Sequence, residues 1–293
     1  MSKYIESSCK GQKIYTNIWK SENEKATLQI VHGMCEYVDR YDDFAKYLNE
    51  YGITVIGHDH LGHGHSVKSN EDLGYFGEAT VDNLIEDIRR VSELRNKDVP
   101  YYILGHSMGS FLTRNYISKY DIDKIIIMGT GHMTSMDGNM LYKLANFYSK
   151  IKGERYRGKI LNKLTTGSYK KHLKSTDPLS WLSLNEENIR KYKKDPLCNF
   201  NFTTNGYKML GNIIVEMNKV ERSGKNKETR IMFYSGDKDP VGAMGTGVKK
   251  VYKEYLEDGY MAELNLKEEL RHEVLNENDP TVYEEIKDFL IGE

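Results

Sequence analysis

Residues 101–109 read YYILGHSMG, and this stretch predicts the fold. A short apolar strand runs into Gly105-His106-Ser107-Met108-Gly109, and the segment SFLTRNYISKY (110–120) that follows has the character of a helix. The pattern Gly-x-Ser-x-Gly between a strand and a helix is typical of a nucleophile elbow, a turn that requires glycine two residues to either side of the serine. We therefore predict that Ser107 is a nucleophile at the carboxyl edge of a parallel sheet, where ligands bind in open α/β folds.

Short apolar runs alternate with longer amphipathic ones on both sides of this stretch. Strands are expected at 26–33, 53–60, 124–130, 230–236 and 261–268, and helices at 37–52, 81–97, 247–259 and 280–290. Because strand and helix alternating at these lengths is typical of βαβ units, we predict an α/β fold with a mostly parallel central sheet flanked by helices.

The alternation stops in one long stretch. Residues 133–226 contain helical segments but no convincing buried strand. The simplest interpretation is a helical cap, or lid, inserted between two parts of one core, residues 1–132 and 227–293.

Composition excludes several classes of protein. With 42 basic and 43 acidic side chains the net charge is −1, so nothing global favours nucleic-acid binding. The chain has no run of 18 apolar residues, and its N-terminus lacks the apolar core of a secretory signal. The cysteines, Cys9, Cys35 and Cys198, form no CxxC pair, which argues against a disulfide framework or a thiolate zinc site. We expect a cytoplasmic protein.

A nucleophilic serine needs a base, and the base needs an orienting acid. On a fold with this elbow the acid and then the histidine should follow the serine along the chain. Asp237 and Asp239 lie in the loop after the strand 230–236, and His272 follows the strand 261–268. The oxyanion formed during acyl transfer also needs backbone donors, for which we predict the amides of Met108 and Met34.

A second stretch, GHDHLGHGHS (57–66), resembles a metal site. The spacing of His58, His60 and His63 matches the zinc-binding loop of the metallo-β-lactamase-like hydrolases, but Gly62 stands where that family has its aspartate. Because the loop lacks this acid while the serine machinery is complete, we expect these histidines to be structural.

Taken together, the motifs resemble the monoacylglycerol lipase and lysophospholipase branch of the α/β-hydrolases, often described as serine aminopeptidase-like (S33). The resemblance covers nearly the whole chain and is carried by HGMCEYVDRY (32–41), GHDHLGHGHS (57–66), GHSMG (105–109), WLS (181–183), DPLCNF (195–200), SGDKDP (235–240) and RHEVLNE (271–277). It implies a triad of Ser107, Asp239 (rather than Asp237) and His272, with Met34 and Met108 as oxyanion donors. One departure is Tyr37, where the family usually has histidine.

The resemblance implies a serine ester hydrolase for single-chain lipids, monoacylglycerol or lysophospholipid, that needs no metal and no organic cofactor. Alternatives are a general carboxylesterase, an aminopeptidase, an apolar-ligand binder that does not turn its ligand over, and a zinc hydrolase. The sequence does not indicate an acyl chain length, a head group or an oligomeric state.

The cap is locally basic. Thirteen Lys or Arg and four Asp or Glu lie between Lys150 and Lys194, a local charge of +9. This charge fits either a solvated helical surface or transient contact with an anionic membrane surface. The apolar residues of the cap fit either an acyl tunnel or packing against the core; they are Met140, Leu141, Leu144, Phe147, Tyr148 and Ile151.

Overall fold

A central sheet organises the part of the chain that the computed structural model describes, which comprises residues 1–167, 169, 173, 175–224 and 226–292. Its strands are β1 (Ser2–Glu6), β2 (Lys13–Trp19), β3 (Ala26–Val31), β4 (Ile53–His58), β5 (Tyr101–His106), β6 (Lys124–Met128), β7 (Arg230–Gly236) and β8 (Met261–Lys267). They lie side by side in the order β1-β2-β4-β3-β5-β6-β7-β8.

The sheet is mostly parallel, as predicted. Strands β4, β3, β5, β6, β7 and β8 pair in parallel, whereas β1 pairs with β2 and β2 with β4 in the antiparallel sense. The sequence did not predict β1 and β2. Four of the five residues of β1 are exposed, so this edge strand lacks the continuous apolar run that marks the central strands.

Helices cover both faces of the sheet, and four further helices lie within the described part of the segment between β6 and β7. They are α1 (Asp42–Glu50), α2 (Val81–Ser92), α3 (Met108–Tyr116), α4 (Ser135–Lys152), α5 (Lys159–Leu164), α6 (Glu186–Lys194), α7 (Thr204–Val220), α8 (Thr246–Glu257) and α9 (Thr281–Ile291). Three predicted helix bounds were wrong by more than two residues, and one of them is the end of α3, which lies at Tyr116 rather than at residue 120. Residues 38–41 form a 3-10 turn before α1, and α2 ends at Ser92 rather than at residue 97.

Each central strand divides its side chains between two hydrophobic clusters, one on each face of the sheet. In β5, Ile103 packs in the cluster that includes α2, α3 and α8, whereas Tyr102 and Leu104 pack in the cluster that includes α1 and α9. Since successive side chains of a strand point to opposite faces, burial of both faces requires the near-continuous apolar runs seen in the sequence.

The segment 133–226, which we call the cap segment, lies between β6 and β7 and contributes α4 to α7, with no strand among its described residues. Gly138 on α4 and Gly211 on α7 lie back to back, and a Cβ on either would come within 2.7 Å of the carbonyl oxygen of the other. Residues 168, 170–172, 174 and 225 of this segment lie outside the described residues. Of the helices described, none is both long and apolar enough to cross a membrane.

Candidate active site

Ser107 occupies a strained turn between β5 and α3. Its φ of 53° and ψ of −119° lie in a region that non-glycine residues rarely adopt. Glycine is required on both sides of this turn. A Cβ at Gly109 would overlap the carbonyl oxygens of Val31 and His32, and one at Gly105 would overlap Thr113. The Ser107 amide donates to the Met128 carbonyl at 3.0 Å, which fixes the turn against β6. The predicted elbow is therefore formed.

A cavity of about 650 Å³ opens above this turn, and Ser107, Met34, Met108 and His272 line it. Much of its remaining wall is apolar and comes from the cap segment; this part includes Met140, Leu141, Leu144, Leu179, Leu210 and Ile214. The six apolar residues of the cap that the sequence analysis named all lie on α4, and they have different environments. Leu141 and Leu144 line the cavity, and Met140 borders it but is largely exposed. Phe147 and Ile151 are exposed and lie outside the cavity wall.

Asp239 and His272 are brought together behind the cavity wall. The Nδ1 atom of His272 lies 2.8 Å from Oδ2 of Asp239, which is fully buried and also accepts the Val241 amide through Oδ1 at 2.8 Å. An ionised carboxylate only accepts hydrogen bonds, so Nδ1 carries the hydrogen and Nε2 is left as the basic nitrogen. Asp237 instead accepts the Glu269 amide at 2.8 Å and pairs with Lys238.

The cap segment also holds His272. The His272 ring packs against the Trp181 ring with 5.1 Å between centroids, and the Glu273 amide donates to the Leu182 carbonyl at 2.7 Å. No hydrogen bond joins the Ser107 hydroxyl to His272 in the described part of the chain, although both line the same cavity. Catalytic hydrogen bonds are often long without substrate and tighten when it binds.

The loop after β3 presses directly against the elbow. A Cβ at Gly33 would lie 2.9 Å from the Ser107 Cβ and 2.6 Å from Oε1 of Glu36. Among the described residues, no backbone hydrogen bond uses the amides of Met34 and Met108, and both residues line the cavity beside Ser107. The Met108 amide also opens α3, where helix geometry favours negative charge. Within the described residues, both amides are therefore available as donors in the cavity that contains the serine.

A buried network of charged groups lies beneath this loop. His106 Nδ1 lies 2.7 Å from Glu36, and Arg40 forms two hydrogen bonds to Glu273 at 2.7 and 2.8 Å. Burial opposes the ionisation of Glu36, but the charges of His106 and Arg40 outweigh it and hold its pKa below the ordinary value. Burial also works against a charged His106, yet the Glu36 carboxylate raises the pKa of this imidazole.

Sequence reasoning missed the members of this network. Glu36 and Glu273 appeared only inside family motifs, and His106 only as the variable residue before the serine. Trp181, which packs on His272, was likewise only a motif letter. The one local signal was position: His106 and Glu273 are each adjacent to a predicted site residue, and Glu36 is two residues from Met34, whereas Trp181 had no such signal.

The histidine loop packs beneath the loop after β3. His60 donates its backbone amide to His32 Nε2 at 3.0 Å, and its ring lies 4.2 Å from that of His32. Both ring nitrogens of the buried His58 are without a hydrogen-bond partner in the described chain. No three His, Cys, Asp or Glu side chains of the described residues are grouped so that they could hold a metal ion.

Comparisons with known proteins identify the family and the fold. The sequence model of the family described as serine aminopeptidase, S33, matches residues 22–279. Monoglyceride lipase of Rattus norvegicus is 29% identical over 191 residues, which are 64% of this chain and 57% of that protein. The chain therefore matches little more than half the length of this curated relative.

Two further relatives match over more of their length. The monoglyceride lipase homolog of Monkeypox virus is 24% identical over 78% of this chain and 76% of its own. A thermostable carboxyl esterase from Bacillus coagulans superposes with a TM-score of 0.91 at 23% identity, covering 100% of this chain and 98% of that one. At this identity the structural likeness supports the fold.

Proposed function

The chain belongs to the family described as serine aminopeptidase, S33, and from that premise we propose that it is a serine hydrolase that cleaves carboxylic esters of single-chain lipids. Its fold is the α/β-hydrolase fold, an eight-stranded, mostly parallel sheet flanked by helices. The observation that carries the proposal is one cavity that is largely apolar yet has Ser107 and His272 in its wall, with Asp239 buried 2.8 Å behind the histidine.

In the proposed reaction, Ser107 Oγ attacks the ester carbonyl carbon while its proton passes to Nε2 of His272. The bond to the alcohol then breaks, and His272 returns the proton to the leaving oxygen. Water next gives a proton to His272 and attacks the acyl-enzyme, which releases the carboxylic acid and restores the serine. Asp239 keeps Nδ1 protonated and stabilises the imidazolium.

The amides of Met34 and Met108 are the proposed donors to the oxyanion. Backbone donors fixed before the reaction stabilise the developing charge without reorganisation, and each is worth about 10²- to 10³-fold in rate. The close contact between Gly33 and Ser107 supports this assignment, because it brings the loop that carries Met34 against the serine.

The cavity wall favours an apolar acyl group over the charged N-terminus of a peptide. An aminopeptidase needs a free carboxylate to bind the substrate ammonium group. The carboxylates of the described cavity wall are Glu36, Asp137 and Glu273, and each is already engaged. Glu36 and Glu273 pair with Arg40, and Asp137 accepts two hydrogen bonds from Thr134 at the start of α4.

We propose the cap segment as a separate helical lid, residues 133–226 over a core of 1–132 and 227–293, which also contacts lipid surfaces. Its α4 exposes Met136, Met140, Phe147 and Ile151 along one face, and α5 exposes Ile160 and Leu164. Contiguous exposed apolar side chains are typical of interaction sites. The predicted basic residues Lys170, Lys171 and Lys174 lie outside the described residues.

The first test is the intact mass of the protein after incubation with a fluorophosphonate, which phosphonylates activated serines. We expect one adduct on the wild type, none on Ser107→Ala, and one on Ser118→Ala, a matched serine at the end of the same helical segment. A panel of monoacylglycerols and lysophospholipids of graded chain length would then define the substrate.

A folded wild type without adduct would overturn the serine mechanism. Loss of ester hydrolysis to a chelator, together with stoichiometric metal, would instead favour a zinc hydrolase. An apolar ligand held without turnover would favour a binding protein on a hydrolase scaffold.

A further inference from the structure

Glu36 connects the loop after β3, which carries the proposed donor Met34, to the residue that precedes Ser107. Its Oε1 atom accepts the Gly33 amide at 2.6 Å, His106 Nδ1 at 2.7 Å and the Tyr41 hydroxyl at 3.2 Å. Its Oε2 atom accepts Arg40 Nη1 at 3.1 Å. A carboxylate has room for about four such donors, so Glu36 is saturated as an ionised group.

His106 extends the connection to the loop that carries the proposed base. Its second ring nitrogen, Nε2, lies 3.3 Å from the carbonyl oxygen of His272. Since a carboxylate and a carbonyl oxygen only accept hydrogen bonds, both ring nitrogens of His106 must carry hydrogen. His106 is therefore an imidazolium paired with Glu36, and it bridges two loops that are distant in sequence.

A second ion pair closes the assembly from the other side. Arg40 bonds Glu36 and, with two hydrogen bonds, Glu273, the residue after His272. Asn188 of α6 donates to the same Glu273 at 2.7 Å. Two cations face two anions, so removal of one member leaves an unpaired buried charge.

We propose that Glu36 is a positioning residue. Its carboxylate holds the Gly33–Met34 loop against Ser107. Through His106 and Arg40 it also fixes the distance between the His272 loop and Ser107. The proposal rests on the proposed function, because it assigns Glu36 an effect on the oxyanion donors and the base of that reaction. Glu36 borders the cavity, but the contacts of its carboxylate are with the groups named above, so in this scheme it meets no reacting atom.

Glu36→Gln tests the role with little change of shape. The amide side chain keeps one oxygen for Gly33 but removes the charge that holds His106 protonated and Arg40 in place. Displacement of catalytic groups by about 1 Å costs roughly 10²-fold in rate, so we expect kcat for a short p-nitrophenyl ester to fall by about 10- to 100-fold. KM should change by less than about twofold, since the lost interaction acts in the transition state.

The rate of fluorophosphonate labelling at Ser107 should fall in parallel with kcat, because phosphonylation uses the same donors and the same base. Glu36→Asp keeps the charge but shortens the side chain by one methylene. It should recover part of kcat, and it carries the test if Glu36→Gln fails to fold.

Asp87→Asn is the matched control for the loss of a buried carboxylate. Asp87 accepts the Ser7 hydroxyl and the Ser8 amide, each at 2.6 Å, and ties α2 to the turn after β1. We expect Asp87→Asn to lower the melting temperature but to leave kcat and the labelling rate unchanged.

Folded Glu36→Gln with the kcat and labelling rate of Asp87→Asn would overturn the positioning role while leaving the proposed function intact. A rise in KM at constant kcat would overturn it as well, because that result would place Glu36 in substrate binding. Absence of labelling on the wild type would overturn the proposed function, and the positioning role would fall with it.

Discussion

Single carboxylates decide much of the chemistry that this chain can perform. Asp237 and Asp239 are two residues apart in one loop, but only Asp239 bonds His272, while Asp237 is used by the Glu269 amide. The family resemblance implies Asp239 as the acid, and the 2.8 Å contact with His272 supports proposing it for that role. The catalytic roles of Ser107, Asp239 and His272 stay a proposal that enzymology must test.

Replacement of Asp239 by asparagine should reduce kcat by about 10³- to 10⁴-fold, because an amide stabilises the wrong imidazole tautomer and cannot stabilise the imidazolium. Steady-state hydrolysis of a short p-nitrophenyl ester measures the effect. Asp237→Asn is the control from the same loop and should retain most of the activity. Equal losses in the two variants would show that the loop, rather than the carboxylate beside His272, carries the effect.

At the scale of secondary-structure elements, α4 serves two environments at once. Its residues at 140, 141 and 144 line the cavity, while Phe147 and Ile151 expose 57% and 60% of their surfaces to solvent. Lys143 and Lys150 on α4, and Lys159 and Lys163 on α5, form no ion pair within the described residues. The two helices thus present apolar side chains beside uncompensated positive charge, a combination typical of interfacial helices.

We expect the protein to co-sediment with vesicles rich in phosphatidylglycerol more strongly than with pure phosphatidylcholine. Phe147→Glu and Ile151→Glu should each lower the partition coefficient by about tenfold or more, since burial of a large apolar side chain is worth about 1.5–3 kcal/mol. Leu256→Glu, an exposed position on α8, is the control. Vesicle binding that is equal in all three variants would exclude this face of α4 as the contact.

At the scale of the whole molecule, stability depends on histidines that fold uncharged. Burial lowers the pKa of His32 and His58 to about 3 and that of His63 to about 4. In the unfolded chain these imidazoles bind protons near pH 6.5, whereas in the folded chain they stay uncharged down to a lower pH. The contribution of these histidines to the free energy of unfolding is therefore complete above pH 6.5 and is lost as the pH falls below that value. Asp59 acts in the opposite sense, because burial raises its pKa to about 7.

Burial also lowers the pKa of His60, and the four histidines together outweigh the Asp59 carboxyl. We therefore expect the free energy of unfolding to fall by about 5 kcal/mol between pH 6.5 and pH 5. Urea unfolding followed by tryptophan fluorescence at several pH values measures this loss. His58→Phe removes one titrating ring that makes no hydrogen bond in the described chain, and should reduce the loss by about 2 kcal/mol. An unfolding free energy that is constant over this range would contradict the assignment of neutral buried rings.

The sequence by itself determined the elbow at Ser107, the parallel strands and the order of the candidate triad. The first two follow from local physics: a turn that excludes any Cβ at Gly109, and the apolar runs that a sheet buried on both faces requires. The order of the triad follows from the chain order typical of folds with this elbow, and the choice of Asp239 from the family resemblance. The exposed edge strand β1 was missed because four of its five residues are exposed, which leaves it without an apolar run.

Only the tertiary structure decided which charges meet. Glu36 bonds His106 across 70 residues, and Arg40 bonds Glu273 across 233. No local sequence pattern predicts such pairs. The paired residues lie at the ends of different strands or on the loops that follow them, and they come together only because parallel strands end at the same edge of the sheet. The cavity has the same origin, since its wall combines that edge with helices of the cap segment whose apolar residues could equally have packed against the core.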